Sequence, residues 1–127
     1  PLVLDKWLTL EALVPAETTL DRVRELTRHP NISMANPNRA RSLVGGFAAN
    51  QTQFNRADGA GFDFVAGFVL DLDKRNPQTA ARLLVTFRSW KALEAGRRAR
   101  AEKALQTIAA SDGLSSDTRD IVTRTLA

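Results

Sequence analysis

This sequence predicts an all-α protein, built as a right-handed superhelix of antiparallel helix pairs. Three observations carry that prediction. Apolar residues recur at three- and four-residue spacing along nearly the whole chain, as amphipathic helices require. No segment shows the sustained apolar–polar alternation of a half-buried strand. Finally, 36-NPNRARSLVGGF-47 can be laid over 76-NPQTAARLLVTF-87 at an offset of forty residues, with five of twelve positions matching. A period near forty is that of two-helix HEAT or armadillo repeats, in which each pair covers its neighbours and one curved face is left for binding. About seven to eight helices are expected on this basis.

The elements follow in order. The segment 2-LVLDKWLTLEALV-14 is apolar nearly all round, and a helix of that kind is buried on every side. The chain begins with Pro1 rather than Met, and the segment reads as helix 1 of a piece cut from something larger, once covered by preceding structure. A second helix, about 18–28, carries Leu20, Val23 and Leu26, is started by Thr18 or Thr19, and stops before Pro30. The third runs from Pro37 to about Ala49. Asn36 is its N-cap, and Pro37 fits the first helical position, where no N–H is needed. Gly45 and Gly46 fall inside it, where close packing of a neighbouring helix accounts for them. A polar loop over 50–61 follows, with Asp58-Gly59 as a turn signal.

The fourth helix, about 62–74, has Phe64, Val65, Phe68, Val69 and Leu72 at helical spacing. Asp71 and Asp73 read as its solvated end. Asn76 and Pro77 repeat the Asn-Pro start for a fifth helix running to about Leu93. A sixth, about 97–111, buries Ala101, Leu105 and Ile108. Ser115 or Ser116 caps the last, which carries Ile121, Val122 and Leu126. Phe62, Phe64, Phe68, Phe87 and Trp90 are expected in the core.

Composition limits the chemistry. Of the 127 residues, 43% are hydrophobic and 25% charged, as in an ordinary globular domain. No Cys is present, so neither disulfide nor thiolate chemistry is available. His29 is the only His and sits at the end of helix 2, where a donor can meet open carbonyls. One His without Cys makes a zinc site improbable on donor counting, and neither H-E-x-x-H nor G-x-S-x-G occurs. No catalytic or metal-binding residue is assigned. The whole net charge of +4 lies between Arg88 and Lys103, where Arg88, Lys91, Arg97, Arg98, Arg100 and Lys103 face only Glu94 and Glu102. Those cations spread around the helix, and a solvated surface fits them better than a phosphate track.

The segments 4-LDKWL-8, 34-MANPNRARSLVGGF-47, 58-DGAGFDF-64 and 75-RNPQTAARL-83 resemble the C-terminal α-helical domain of the bacterial aminopeptidase N family, zinc metallopeptidases of the gluzincin type. The resemblance covers essentially the whole chain. It implies a single helical domain, 1–127, from a cytoplasmic four-domain enzyme that removes N-terminal residues from peptides. Zinc would belong to the parent's catalytic domain, with its H-E-x-x-H helix, downstream Glu and G-x-M-E-N loop. None of these is in this sequence, so the chain itself would not be an enzyme. Its partners would be that catalytic domain and the peptides in the parent cavity, with no membrane and no nucleic acid. The domain would wall and gate the active-site cavity.

Arg41 and Arg82 match two arginines of the resembling motifs, and the resemblance implies that they line the cavity. There they would attract a peptide's carboxylate or carbonyls, which suit a guanidinium fork. The alternative is that both pair with acids or cap helix ends. The other function class open to the sequence is a free-standing HEAT-like module that binds protein or nucleic acid.

Overall fold

The computed structural model describes residues 2–127. Among the described residues there are eight helices, two short 3-10 turns and no strand, in agreement with the all-α expectation. Contacts gather into two compact units, one ending at Phe54 and one running from Asn55 to Ala127.

In the first unit, α1 (Leu2–Ala12) is anchored by Leu8 and Ala12, one helical turn apart and fully buried. α2 (Thr19–Thr27) buries Leu20, Val23 and Leu26, the stripe its spacing predicts. Thr18 makes no capping bond with its side chain; the Thr19 hydroxyl instead donates to the Val14 carbonyl at 2.6 Å. After α2, His29 does not act as a donor to open carbonyls. Its Nδ1 accepts from the Asn31 N–H at 3.1 Å and holds the turn toward Asn31.

α3 covers 37–49 in three stretches: an α turn Pro37–Ala40, a π-helical segment Arg41–Gly45, and an α turn Gly46–Ala49. Asn36 Oδ1 accepts from the Asn38 N–H at 2.9 Å at its start. The π segment coincides with the closest approach of α1. Thr9 Oγ1 lies 3.1 Å from both the Asp5 and the Ser42 carbonyls. A Cβ added to Gly46 would stand 3.3 Å from Ala12 Cβ and 3.4 Å from Thr9 Cα. A π turn widens the helix, and here the widened part faces the α1 backbone.

The expected loop over 50–61 is partly helical. Asn50 leaves helical geometry and is buried, and its amide donates to the Ala12 and Val14 carbonyls at 3.0 and 2.8 Å, closing the C-terminal end of α1. α4 (Gln51–Phe54) follows with Gln53 and Phe54 buried. A single turn is too short to show a 3.6-residue period, so pattern reading passes over it.

In the second unit, Gly59 takes a left-handed φ of 77° immediately before α5 (Ala60–Asp73), and Asp58 Oδ1 accepts from the Ala60 N–H at 3.0 Å. That backbone bond, with help from the neighbouring Arg56 and Arg100 charges, outweighs desolvation and lowers the Asp58 pKa. α5 packs on α6 (Pro77–Leu84) and α7 (Ala95–Ala109), and α8 (Ser116–Leu126) packs on α6 and α7. Phe62 and Phe87 meet in the core with ring centroids 6.0 Å apart, and Trp90 is buried, but Phe64 and Phe68 are only half-buried.

Two boundaries differ from expectation. The helix begun at Pro77 does not reach Leu93: it leaves α geometry after Leu84 into 3-10 turns at Val85–Phe87 and Trp90–Ala92. The Thr86 hydroxyl donates to the Leu83 carbonyl at 2.7 Å, a local bond that competes with the regular ladder. α7 starts at Ala95 rather than 97, because the Glu94 carboxylate accepts from the Gly96 and Arg97 N–H groups. Those bonds lower the Glu94 pKa.

The largest departure is Asp73. It is not solvated but 5% exposed, and its carboxylate sits at the start of α8. Oδ2 accepts from the Ser115 N–H at 2.8 Å, and Oδ1 from the Ser115 and Thr118 hydroxyls at 2.6 Å each. Ser115 in turn caps α8 by accepting from the Thr118 N–H at 3.2 Å. Asp71, two residues earlier, is exposed and pairs with Arg75 at 3.0 Å.

The repeat at offset forty is visible in burial. Ala40, Leu43, Val44 and Phe47 are buried in the first unit, and Ala80, Leu83, Leu84 and Phe87 occupy the same positions of the repeat in the second. Asn76 Oδ1 accepts from the Thr79 N–H at 3.1 Å, as Asn36 caps α3. Pro37 and Pro77 each stand in the first turn of their helices.

Candidate functional site

The two arginines of 36-NPNRARSL-43 do different work. On a helix, side chains two residues apart point about 200° away from each other. Arg39 turns inward and meets Asp5 of α1 at 3.5 Å, both side chains mostly covered. Arg41 turns outward, and its guanidinium donates to the Asn38 side chain. Sequence reasoning singled out Arg41 and missed Arg39. No local signal separates the two, because Arg39 is set apart by Asp5, a partner on another helix.

Asp5 Oδ1 is buried and receives no hydrogen bond among the described residues, so Arg39 is its one charged neighbour recorded there. Removing the guanidinium would leave a largely buried carboxylate uncompensated. Arg39→Ala is therefore expected to cost the first unit about 2 kcal/mol, whereas Arg41→Ala should be near neutral; urea denaturation of the two variants separates the roles.

Beside this pair, Asp5, Lys6, Thr9, Leu10 and Ser42 line a shallow groove of about 350 Å3 between α1 and α3. It runs into an apolar strip on the outer side of α1. Val3 (80% exposed), Trp7 and Leu10 (67%) follow one another at helical spacing, and Leu13 and Val14 extend the exposure past the helix end. Arg22 of α2 lies over the Trp7 ring, 5.8 Å from its centroid, and pairs with Glu11 at 3.3 Å. Among the described side chains of α1, the fully buried ones are Leu8 and Ala12, one turn apart on one side of the helix.

Arg82 lies on α6 in the second unit, exposed, and no acid pairs with it among the described residues. Its repeat equivalent is Ser42, not Arg41. No group of three or more His, Cys, Asp or Glu side chains converges among the described residues. The residues present do not fit a zinc ion, and no chemical step through a metal can be built on them. No helix among the described residues is long and apolar enough to cross a membrane.

Comparison with known proteins gives this arrangement a family. Residues 1–127 match a family model described as a domain of unknown function (DUF3458_C) made of ARM repeats. The chain is 40% identical, over 99% of its length, to aminopeptidase N of Escherichia coli strain K12, and likewise 40% identical over 99% to aminopeptidase N of Caulobacter vibrioides. It spans 15% of the length of each of these relatives. Among solved structures it is similar to Legionella pneumophila aminopeptidase A, crystallised in complex with aspartic acid, with a TM-score of 0.90 and 32% identity over 97% of this chain and 14% of that one. The helices and their buried repeat positions are those of an armadillo-type repeat domain. The chain belongs to the DUF3458_C ARM-repeat family, and its similarity runs to the C-terminal region of aminopeptidase N.

Proposed function

We propose that this chain is a non-catalytic C-terminal domain of a zinc-dependent aminopeptidase N, and that it walls and gates the cavity in which N-terminal residues are removed from peptides. The observation that carries the reading is a similarity that takes in 99% of this chain but only 15% of each aminopeptidase N. The rest of such an enzyme must supply the metal, its ligands and the general base. The apolar strip of Val3, Trp7 and Leu10 supports the reading, because a helix face of that composition is stabilised by a covering neighbour. In this reading the neighbour is the remainder of the enzyme, and the protein works in the cytoplasm on peptides.

Arg41 and Arg82 are the side chains assigned to the cavity wall. Both are exposed, and neither is tied to an acid among the described residues. Arg41 already donates to the Asn38 side chain, but each guanidinium has further N–H groups to offer a peptide carbonyl or terminal carboxylate. A positioning role of this kind depends on peptide length. In the full-length enzyme, Arg41→Ala and Arg82→Ala should leave hydrolysis of a single-residue amide substrate unchanged. For tetra- and pentapeptides each should raise KM by about three- to tenfold, the size of one or two lost charge-assisted hydrogen bonds at an exposed site. A loss equal for every substrate length, or none at all, would count against the cavity role.

A further inference from the structure

The sequence holds two Asp-Gly pairs, 58–59 and 112–113, and no Asn-Gly pair. Such a pair is a turn signal, and it is also chemically reactive. Glycine has no side chain to shield its amide nitrogen, which can reach the carboxyl carbon of the aspartate before it. Both glycines share a left-handed backbone, with φ 77° at Gly59 and 73° at Gly113. Backbone type therefore does not separate the two pairs. Their surroundings do.

Asp58 is held on both oxygens. Oδ1 accepts from the Ala60 N–H at 3.0 Å, and Oδ2 pairs with Arg56 at 3.1 Å. The Gly59 N–H donates to the Arg56 carbonyl at 3.0 Å. Nucleophile and electrophile are thus each tied to another group. The Arg100 stem covers Gly59 so closely that an added Cβ would stand 2.6 Å from Arg100 Cδ. The lowered Asp58 pKa also keeps this carboxyl ionised, and a carboxylate is a poor electrophile.

Asp112 has none of these restraints. It is exposed on the link between α7 and α8. Its side chain makes no hydrogen bond or ion pair among the described residues, and the Gly113 N–H has no backbone acceptor there. Chain neighbours apart, no heavy atom lies within 4 Å of where a Gly113 Cβ would stand.

We propose that Asp112-Gly113 is a site of spontaneous backbone isomerisation, which converts Asp112 to isoaspartate, and that the fold protects the same pair at 58–59. The Gly113 nitrogen bonds to Asp112 Cγ, and its proton leaves with the carboxyl hydroxyl as water. The product is a five-membered succinimide. Water then adds to one of the two ring carbonyls. Cleavage between nitrogen and Cγ restores aspartate. Cleavage between nitrogen and the main-chain carbonyl carbon leaves the chain running through Cβ and Cγ. One water leaves and one returns, with no change in oxidation state. The isomerised turn presents a free α-carboxylate three residues before Ser115, whose N–H and hydroxyl are fixed on Asp73. That carboxylate is the group an isoaspartate-specific carboxyl methyltransferase esterifies, taking the methyl group from S-adenosylmethionine.

Trypsin places the two pairs on separate peptides, 57–74 and 104–119. The intact protein that carries this chain is kept warm at neutral pH for several weeks and then digested. Each peptide is treated with such a methyltransferase and radiolabelled S-adenosylmethionine, with freshly purified protein as the baseline. Peptide 104–119 should gain label about tenfold faster than 57–74, because two or three hydrogen bonds at an exposed site must break before Gly59 can attack Asp58. In protein unfolded in guanidinium the two peptides should age at similar rates. Asp112→Glu should remove the label from 104–119, since the longer side chain would have to close a six-membered ring, a much slower reaction. An unlabelled 104–119, a label that survives Asp112→Glu, or equal ageing of both peptides in the folded protein would overturn the proposal. So would the same tenfold ratio in the unfolded protein, which would assign the difference to flanking sequence instead of the fold.

Discussion

Asp73→Ala is expected to cost the second unit about 3 kcal/mol, because three charge-assisted hydrogen bonds vanish at once and their donors are left in a covered site. The Ser115 N–H and the Ser115 and Thr118 hydroxyls all converge on this one carboxylate, and Thr118 is fully buried. The carboxylate also faces the N-terminal end of α8, where a negative charge is favoured. Burial by itself would raise the Asp73 pKa, but the Ser115 and Thr118 hydroxyls and the Ser115 N–H outweigh it, and the pKa lies below its ordinary 3.8. A depressed acid contributes stability that is fully present above the unfolded value and is lost as pH falls through the folded one. The stability gap between wild type and Asp73→Ala should therefore hold near neutral pH and begin to close below about pH 4. Asp73→Asn tests the charge separately. Its amide can satisfy the same groups if the two hydroxyls reverse, so about half the loss is expected, and this variant should lack the acid-dependent part. Urea denaturation at pH 7 and at pH 3.5 measures both effects.

Asp73 also shows where reading from sequence stops. Nothing local separates it from Asp71: both are acids near the end of an apolar helix, and the base rate favours solvent for each. What places Asp73 inside is a partner 42 residues away at the start of α8. Capping was legible wherever the cap was local and of ordinary type, as at Asn36, Asn76 and Ser115. It was missed at Glu94, because a Glu in that position is not the usual capping residue. The all-α class and the buried repeat positions were legible because helical periodicity and a forty-residue offset survive in the pattern itself.

The candidate site was legible in a different proportion. The Asn-Pro starts marked where two helices begin, at Asn36-Pro37 and Asn76-Pro77. The division of labour between Arg39 and Arg41 was not readable, since it depends on which side of α3 faces α1. Asp5 makes the distinction, 34 residues before Arg39 in the chain. The outward strip on α1 was half-read. The all-round apolar composition was plain in 2-LVLDKWLTLEALV-14, but which residues turn outward required the Leu8–Ala12 contact side to be known.

That contact side gives the second large effect, at Gly46. Gly46→Val should destabilise the first unit by about 3 kcal/mol, whereas Gly46→Ala should be close to neutral. The added Cβ of Ala would stand 3.3 Å from Ala12 Cβ and 3.4 Å from Thr9 Cα, tight but within reach of a small shift. Against that crowding, Ala gains about 1 kcal/mol over Gly in a helix. Valine adds two methyl groups to the same Cβ. Its nearest neighbours include Thr9 backbone atoms, which cannot rotate away as a side-chain tip can, so α1 itself must move. Moving α1 lengthens the Thr9 bond to Ser42 and loosens the Asn50 bonds that close its C-terminal end. It also displaces Val3, Trp7 and Leu10, the strip proposed to meet the rest of the enzyme. Thermal unfolding of the Ala and Val variants measures the stability term. A Val variant as stable as wild type would mean that α1 has room to retreat from Gly46, and that the small residue there is not what sets the seat of α1 on α3.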